Sequence, residues 1–132
     1  MELKFNKESV KNLVEQYYKK YEDFDGKFNS SCSVSSVGYG MMETDVCVLS
    51  MKMVGTMKLL DQEISMTREL SDEDIKNVFS TLLEEQGYTV KEVSLDSGIK
   101  GSYEGFGIYE TFVNKPYFNG VVVDVCQKVL NK

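Results

Sequence analysis

Gly38-Tyr39-Gly40-Met41-Met42-Glu43-Thr44 is spelled almost again 67 residues later, as Gly105-Phe106-Gly107-Ile108-Tyr109-Glu110-Thr111. The match extends upstream. Glu8-Ser9-Val10-Lys11-Asn12-Leu13-Val14 aligns at an offset of 65 with Glu73-Asp74-Ile75-Lys76-Asn77-Val78-Phe79. Self-similarity at a fixed spacing sets the architecture before any propensity is counted. It predicts an α+β fold of two tandem helix-strand-strand-strand units, one over about 5–69 and one over about 70–130. Most strand pairing would be antiparallel, with two helices packed on the sheet. At 132 residues the chain is a single domain's length, and half-size units would be marginal alone, so both should share one core.

The periodicity places the helices. Val10, Leu13, Val14, Tyr17, Tyr18 and Tyr21 follow the i, i+3, i+4, i+7 spacing of one buried stripe and predict a helix over about Lys7–Glu22. Ile75, Val78, Phe79, Leu82 and Leu83 repeat the stripe. Ser71 followed by Asp74 reads as a variant capping box, and Gly87 as a left-handed stop.

Strand material follows each helix. Phe28, Cys32 and Val34 alternate with polar residues, Met42 to Met53 reads as a long strand with a break near Val54-Gly55-Thr56, and Ile64, Met66 and Arg68 suggest another. In the second half Val93 and Leu95 open one strand, and Tyr103 to Val113 carry the repeated motif. Asn114-Lys115-Pro116 and Asn119-Gly120 frame a turn before a last strand at Val121, Val123 and Val125. The halves also differ. Six methionines fall between Met41 and Met66, and Asp96-Ser97-Gly98-Ile99-Lys100-Gly101-Ser102 is inserted in the second half.

The net charge is -6, with 15 basic and 21 acidic residues and a single arginine, Arg68. The first twenty residues are basic and the remainder acidic, which disfavours direct nucleic-acid binding, since phosphate recognition uses clustered Lys and Arg. No apolar run approaches the roughly 20 residues needed to span a bilayer. Three cysteines, Cys32, Cys47 and Cys126, with no apolar leader segment, point to reduced thiols in the cytoplasm, packed as small hydrophobes. With no histidine, no Cys-x-x-Cys and no calcium-loop pattern, no metal or cofactor is expected.

Three sets of residues are candidates for function. Glu22, Asp23, Asp25, Asp61 and Glu63 would form an acidic face complementary to a basic surface on a larger protein. Met41, Met42, Met51 and Met53 would supply adaptable apolar anchors beside it, against the alternative that methionines fill an irregular core. Gly38, Tyr39, Gly40, Gly105, Phe106 and Gly107 would let backbone approach a small ligand, unless each glycine pair marks a bulge or tight bend whose aromatic covers the core.

The leading expectation is a non-catalytic cytoplasmic binding protein that inhibits or modulates a larger partner by occluding its surface. A small-ligand or nucleotide binder is the second reading, an enzyme using Asp96, Glu104 and Glu110 the third, and a homodimer or other self-assembling component the fourth. In general character, small, acidic, duplicated and without catalytic motifs, the chain resembles the inhibitory proteins that phages and mobile elements direct at host defences, including anti-CRISPR proteins. The resemblance is one of class and rests on no shared motif.

Overall fold

Asn6 accepts a hydrogen bond from the Ser9 backbone N–H at 2.8 Å and starts helix α1, Lys7–Tyr21. Residues 1–126 are described here from a computed structural model. The end of the second expected unit, 127–130, lies outside them. Of the expected α1 stripe, Val10, Val14, Tyr17 and Tyr18 are buried and Leu13 partly so, whereas Tyr21 at the end of the helix is exposed. Helix α2, Asp72–Glu85, opens on a true capping box. Ser71 Oγ accepts from the Asp74 N–H, and an Asp74 carboxylate oxygen accepts from the Ser71 N–H at 2.8 Å. Gly87, at φ 93°, ends it.

Among the described residues there are six strands: β1 (Glu2–Asn6), β2 (Phe24–Val37), β3 (Thr44–Leu59), β4 (Gln62–Leu70), β5 (Thr89–Glu104) and β6 (Thr111–Cys126). They form two three-stranded antiparallel sheets, ordered β2-β3-β4 and β1-β6-β5. The α+β class is therefore observed, but the strands are not grouped as two tandem helix-strand-strand-strand runs. Among the described residues the second half supplies one helix and two long strands, and its sheet is completed by β1 from the other end of the chain. Glu2 pairs with Asp124 and Asn6 with Gly120. Each sheet is thus a long hairpin flanked by the short strand that leads into a helix, β4 before α2 and β1 before α1.

Several expected boundaries move for physical reasons. Val54-Gly55-Thr56 is no break: β3 runs through it, with Gly55 opposite Gly26 where a Cβ would strike the Asp25 backbone oxygen. Asn114-Lys115-Pro116 and Asn119-Gly120 form no turn and lie inside β6. Pro116 is tolerated because β1 stops at the Gly120 position, leaving that flank of β6 without a neighbouring strand among the described residues. The stretch from Asp96 to Ser102 is the part of β5 that pairs with this stretch of β6, with a register shift between Asp96 and Ser97. At Gly120, φ is 144°, and any Cβ would collide with the Phe5 carbonyl oxygen.

One hydrophobic cluster draws on both halves, including Val10, Val14, Phe24, Phe28, Met51 and Met53 with Ile75, Val78, Phe79, Val121, Val123 and Val125. The helices meet over it. Asn77 Nδ2 donates to the Tyr17 hydroxyl at 3.0 Å, and Phe5 stacks on Phe79 with centroids 5.0 Å apart. A carboxylate oxygen of Glu15 accepts from Lys11 Nζ at 2.7 Å and from the Phe28 N–H at 2.9 Å, fastening α1 to β2.

Replacing Gly120 by alanine forces both the disallowed φ and the clash with β1. The substitution is expected to lower unfolding free energy by about 2–3 kcal/mol, read from the urea midpoint. A midpoint equal to wild type would show that β1 does not pass this close.

Candidate functional site at the paired hairpin tips

The repeated heptapeptides are the two hairpin ends that join β2 to β3 and β5 to β6. At the first, Gly38 sits at φ 110° and Gly40 at 54°; at the second, Gly105 at 103° and Gly107 at 59°. Each closes with one 3-10 turn, Gly40–Met42 or Gly107–Tyr109. The Met42 N–H donates to the Tyr39 oxygen at 2.9 Å and the Tyr109 N–H to the Phe106 oxygen at 3.0 Å. The first glycine of each tip is obligatory, because a Cβ on Gly38 or Gly105 would meet the Met42 or Tyr109 carbonyl oxygen.

The aromatic residue between the glycines does not cover the core. Tyr39 is 92% exposed, Met41 102%, Phe106 91% and Ile108 91%, with Met42 and Tyr109 nearly as open. Tyr103, whose ring packs edge-on against Phe112 at 5.2 Å, continues the apolar surface below the second tip. Isolated apolar side chains on a surface are ordinary, but six large ones gathered on two turns make the tips a candidate interaction surface.

The arms behind the tips are joined. One Asp45 carboxylate oxygen accepts from Asn114 Nδ2 at 2.8 Å and the other from Ser36 Oγ at 2.8 Å. Further back, the Cys47 thiol faces the Tyr117 oxygen at 3.9 Å. Moving from Cys47 to Asp45 leads towards the first tip, and moving from Tyr117 to Asn114 leads towards the second, so both tips project from the same end. The hydrogen bonds from Asn114 and then Ser36 hold the Asp45 carboxyl below its ordinary pKa.

The acidic set lies elsewhere. Asp23, Asp25 and Glu63 line a shallow concavity of about 240 Å³ with Lys58 and Met57, and Asp61 sits on the β3–β4 turn, where Leu60 and Asp61 both take positive φ. Glu22 accepts from Arg68 at 3.0 Å, and Arg68 in turn lies over the Tyr18 ring. Burial pushes the Tyr18 hydroxyl up to about 12. This cluster is at the start of β2 and the first tip at its end, 14 residues away, roughly 45 Å along an extended strand.

The acidic residues therefore share no face with Met41 and Met42. Met51 and Met53 are buried in the core and are not available as anchors, because strand alternation turns them towards the helices. Asp96, Glu104 and Glu110 do not converge either. Asp96 lies opposite Gly120, Glu104 pairs with Lys115, and Glu110 caps the second tip. Among the described residues no group of His, Cys, Asp and Glu is placed to hold a metal ion, and no helix is long and apolar enough to cross a membrane.

Comparison with protein-family models, curated proteins and solved structures finds no match to this chain. The tips themselves are the feature that carries a functional reading. Ile108, Tyr109, Tyr103 and Phe112 are not among the sequence candidates; the adjacent apolar pair Ile108-Tyr109 directly after Gly107 is a signal, whereas Tyr103, between Ser102 and Glu104, and Phe112, between Thr111 and Val113, carry none.

Because the tip side chains touch so little of the fold, converting Tyr39, Met41, Phe106 and Ile108 together to serine should leave stability nearly unchanged, within about 0.5 kcal/mol per site. A larger loss in a urea titration would make them structural. Nitroxide labels at positions 42 and 109 should report a single narrow distance distribution at pH 7. Since Asp45 is depressed in the fold, its clasp is complete above the ordinary carboxylate pKa and lost as pH falls below roughly 4. The distribution should broaden there, and in Asp45→Ala at pH 7; an unchanged distribution would show that the arms are held by other contacts.

Proposed function

We propose that the chain is a non-catalytic binding protein of the cytoplasm that occludes or modulates a surface of a larger protein, engaging it with the two hairpin tips. The observation that carries this reading is the near-complete exposure of large apolar side chains on two turns at one end of the molecule. Fully burying a side chain of this kind is worth about 1.5–3 kcal/mol. Six of them, half buried, would supply on the order of 5–9 kcal/mol, which competes with the several kcal/mol lost on association. The reading includes an origin by internal duplication within a single domain, each copy contributing one tip.

Charge favours a protein partner. No Lys or Arg occurs from 28 to 51 or from 101 to 114, whereas Glu43, Asp45, Glu104 and Glu110 do. Carboxylates around an apolar tip repel anionic bilayers and phosphate backbones and suit a basic rim on a protein. The distant acidic end, Asp23, Asp25, Asp61 and Glu63, would add long-range steering. Inhibition of a host-defence protein by a small mobile-element product is the class of activity that this combination fits. A small-ligand site is less well supported, since the tips are convex.

Immobilised chain should retain one stoichiometric protein from nuclease-treated bacterial lysate, and the four-serine tip variant should lose it. Charge reversal at Asp23, Asp25 and Glu63 should slow association and flatten its salt dependence while leaving the complex intact. Retention that ignores the tip substitutions would overturn the assignment.

A further inference from the structure

Along the two hairpins, likeness between the halves is concentrated at the tips. Four of the seven tip positions are identical, Gly38/Gly105, Gly40/Gly107, Glu43/Glu110 and Thr44/Thr111, and Tyr39/Phe106 is a conservative pair. In the seven positions before the tips, the only identity is Ser35/Ser102, and in the nine positions after them it is Val46/Val113. The turn explains the glycines, through their positive φ and the close carbonyl oxygen behind the first of each pair. It does not explain the aromatic residue, which is more than 90% exposed at both tips, nor the glutamate, whose backbone N–H alone takes part in the turn. Side chains that the fold does not require, kept alike on arms that otherwise differ, meet like chemistry.

Resting on the reading that the tips engage a protein, we infer that the partner presents the same pocket twice, and that the chain bridges two copies of one polypeptide with one tip in each. The pocket is apolar, deep enough for an aromatic ring, and rimmed by a cation that faces Glu43 at one copy and Glu110 at the other. A partner built of two like subunits offers such a pair of sites through its own twofold axis. The Asp45 clasp fixes the separation of the tips, so the second contact forms at the high effective concentration of a short, stiff link. Bivalent attachment of this kind strengthens binding by about 10²- to 10⁴-fold over one contact. Disabling one tip with Phe106→Ser and Ile108→Ser should weaken binding by that factor, and disabling the other with Tyr39→Ser and Met41→Ser should do so to a similar extent.

The deciding experiment places a benzophenone amino acid at 39, at 106, or at both, and irradiates the full chain in lysate of cells that express it natively. The expected result is that both single probes mark the same peptide of the same polypeptide, and that the double probe gives an adduct of one chain with two partner copies. Adducts at different peptides, on different proteins, or with one copy only would overturn the twofold partner while leaving a protein-binding role in place. Adducts confined to lipid or to the chain itself, or no adducts at either tip, would overturn both.

Discussion

The pairing of β1 with β6 is the constraint on which the rest of the molecule depends. The Val125 N–H donates to the Met1 oxygen at 2.9 Å, and five residues of β1 run antiparallel to β6 as far as Gly120. Leu3 and Phe5 are thereby placed against the core, and Phe5 reaches Phe79 of α2. Without this strand, Val121 and Val123 would form an open apolar edge, a geometry that native sheets avoid. Because β1 leads directly into α1 through the Asn6 cap, the same pairing positions α1 beside α2 and joins the two halves in one core.

From that core the hairpins continue beyond the reach of the helices. Buried side chains are dense in the helices, in the base of β2 and β3 and in the end of β6 nearest the chain terminus, and become sparse along the arms. What holds the arms together is lateral: Asp45 with Ser36 and Asn114, and Cys47 against Tyr117. The tips are then free of any packing duty. Their backbone is fixed by two glycines and two turn hydrogen bonds, so their side chains are not constrained by the core.

Much of the local structure was legible in the sequence. The α1 and α2 stripes, the Ser71–Asp74 capping box and the Gly87 stop lie where periodicity and capping rules put them, because each depends on residues within one or two turns. β1 was not legible: Glu2-Leu3-Lys4-Phe5 alternates for too few residues to stand out, and its partner is more than a hundred residues away. The Asn119-Gly120 pair reads locally as a turn, yet it is held inside β6 by the close passage of Phe5. Of the candidate residues, Met41 and Met42 are exposed at a tip, whereas Met51 and Met53 belong to the core. The acidic set gathers at the opposite end of β2.

The sequence by itself determined the two helices, the alternation of the strands and the existence of two like glycine-bounded elements. Those features follow from hydrogen bonds and side-chain periodicities spanning a few residues. Tertiary structure decided that the sheet of the second hairpin takes its third strand, β1, from more than a hundred residues away, that the like elements are tips at one end, and that the acidic residues are far from them. The physical reason is that strand pairing and exposure are set by contacts between residues tens of positions apart. A short pattern such as Gly-aromatic-Gly is the same string whether its ring meets the core or the solvent.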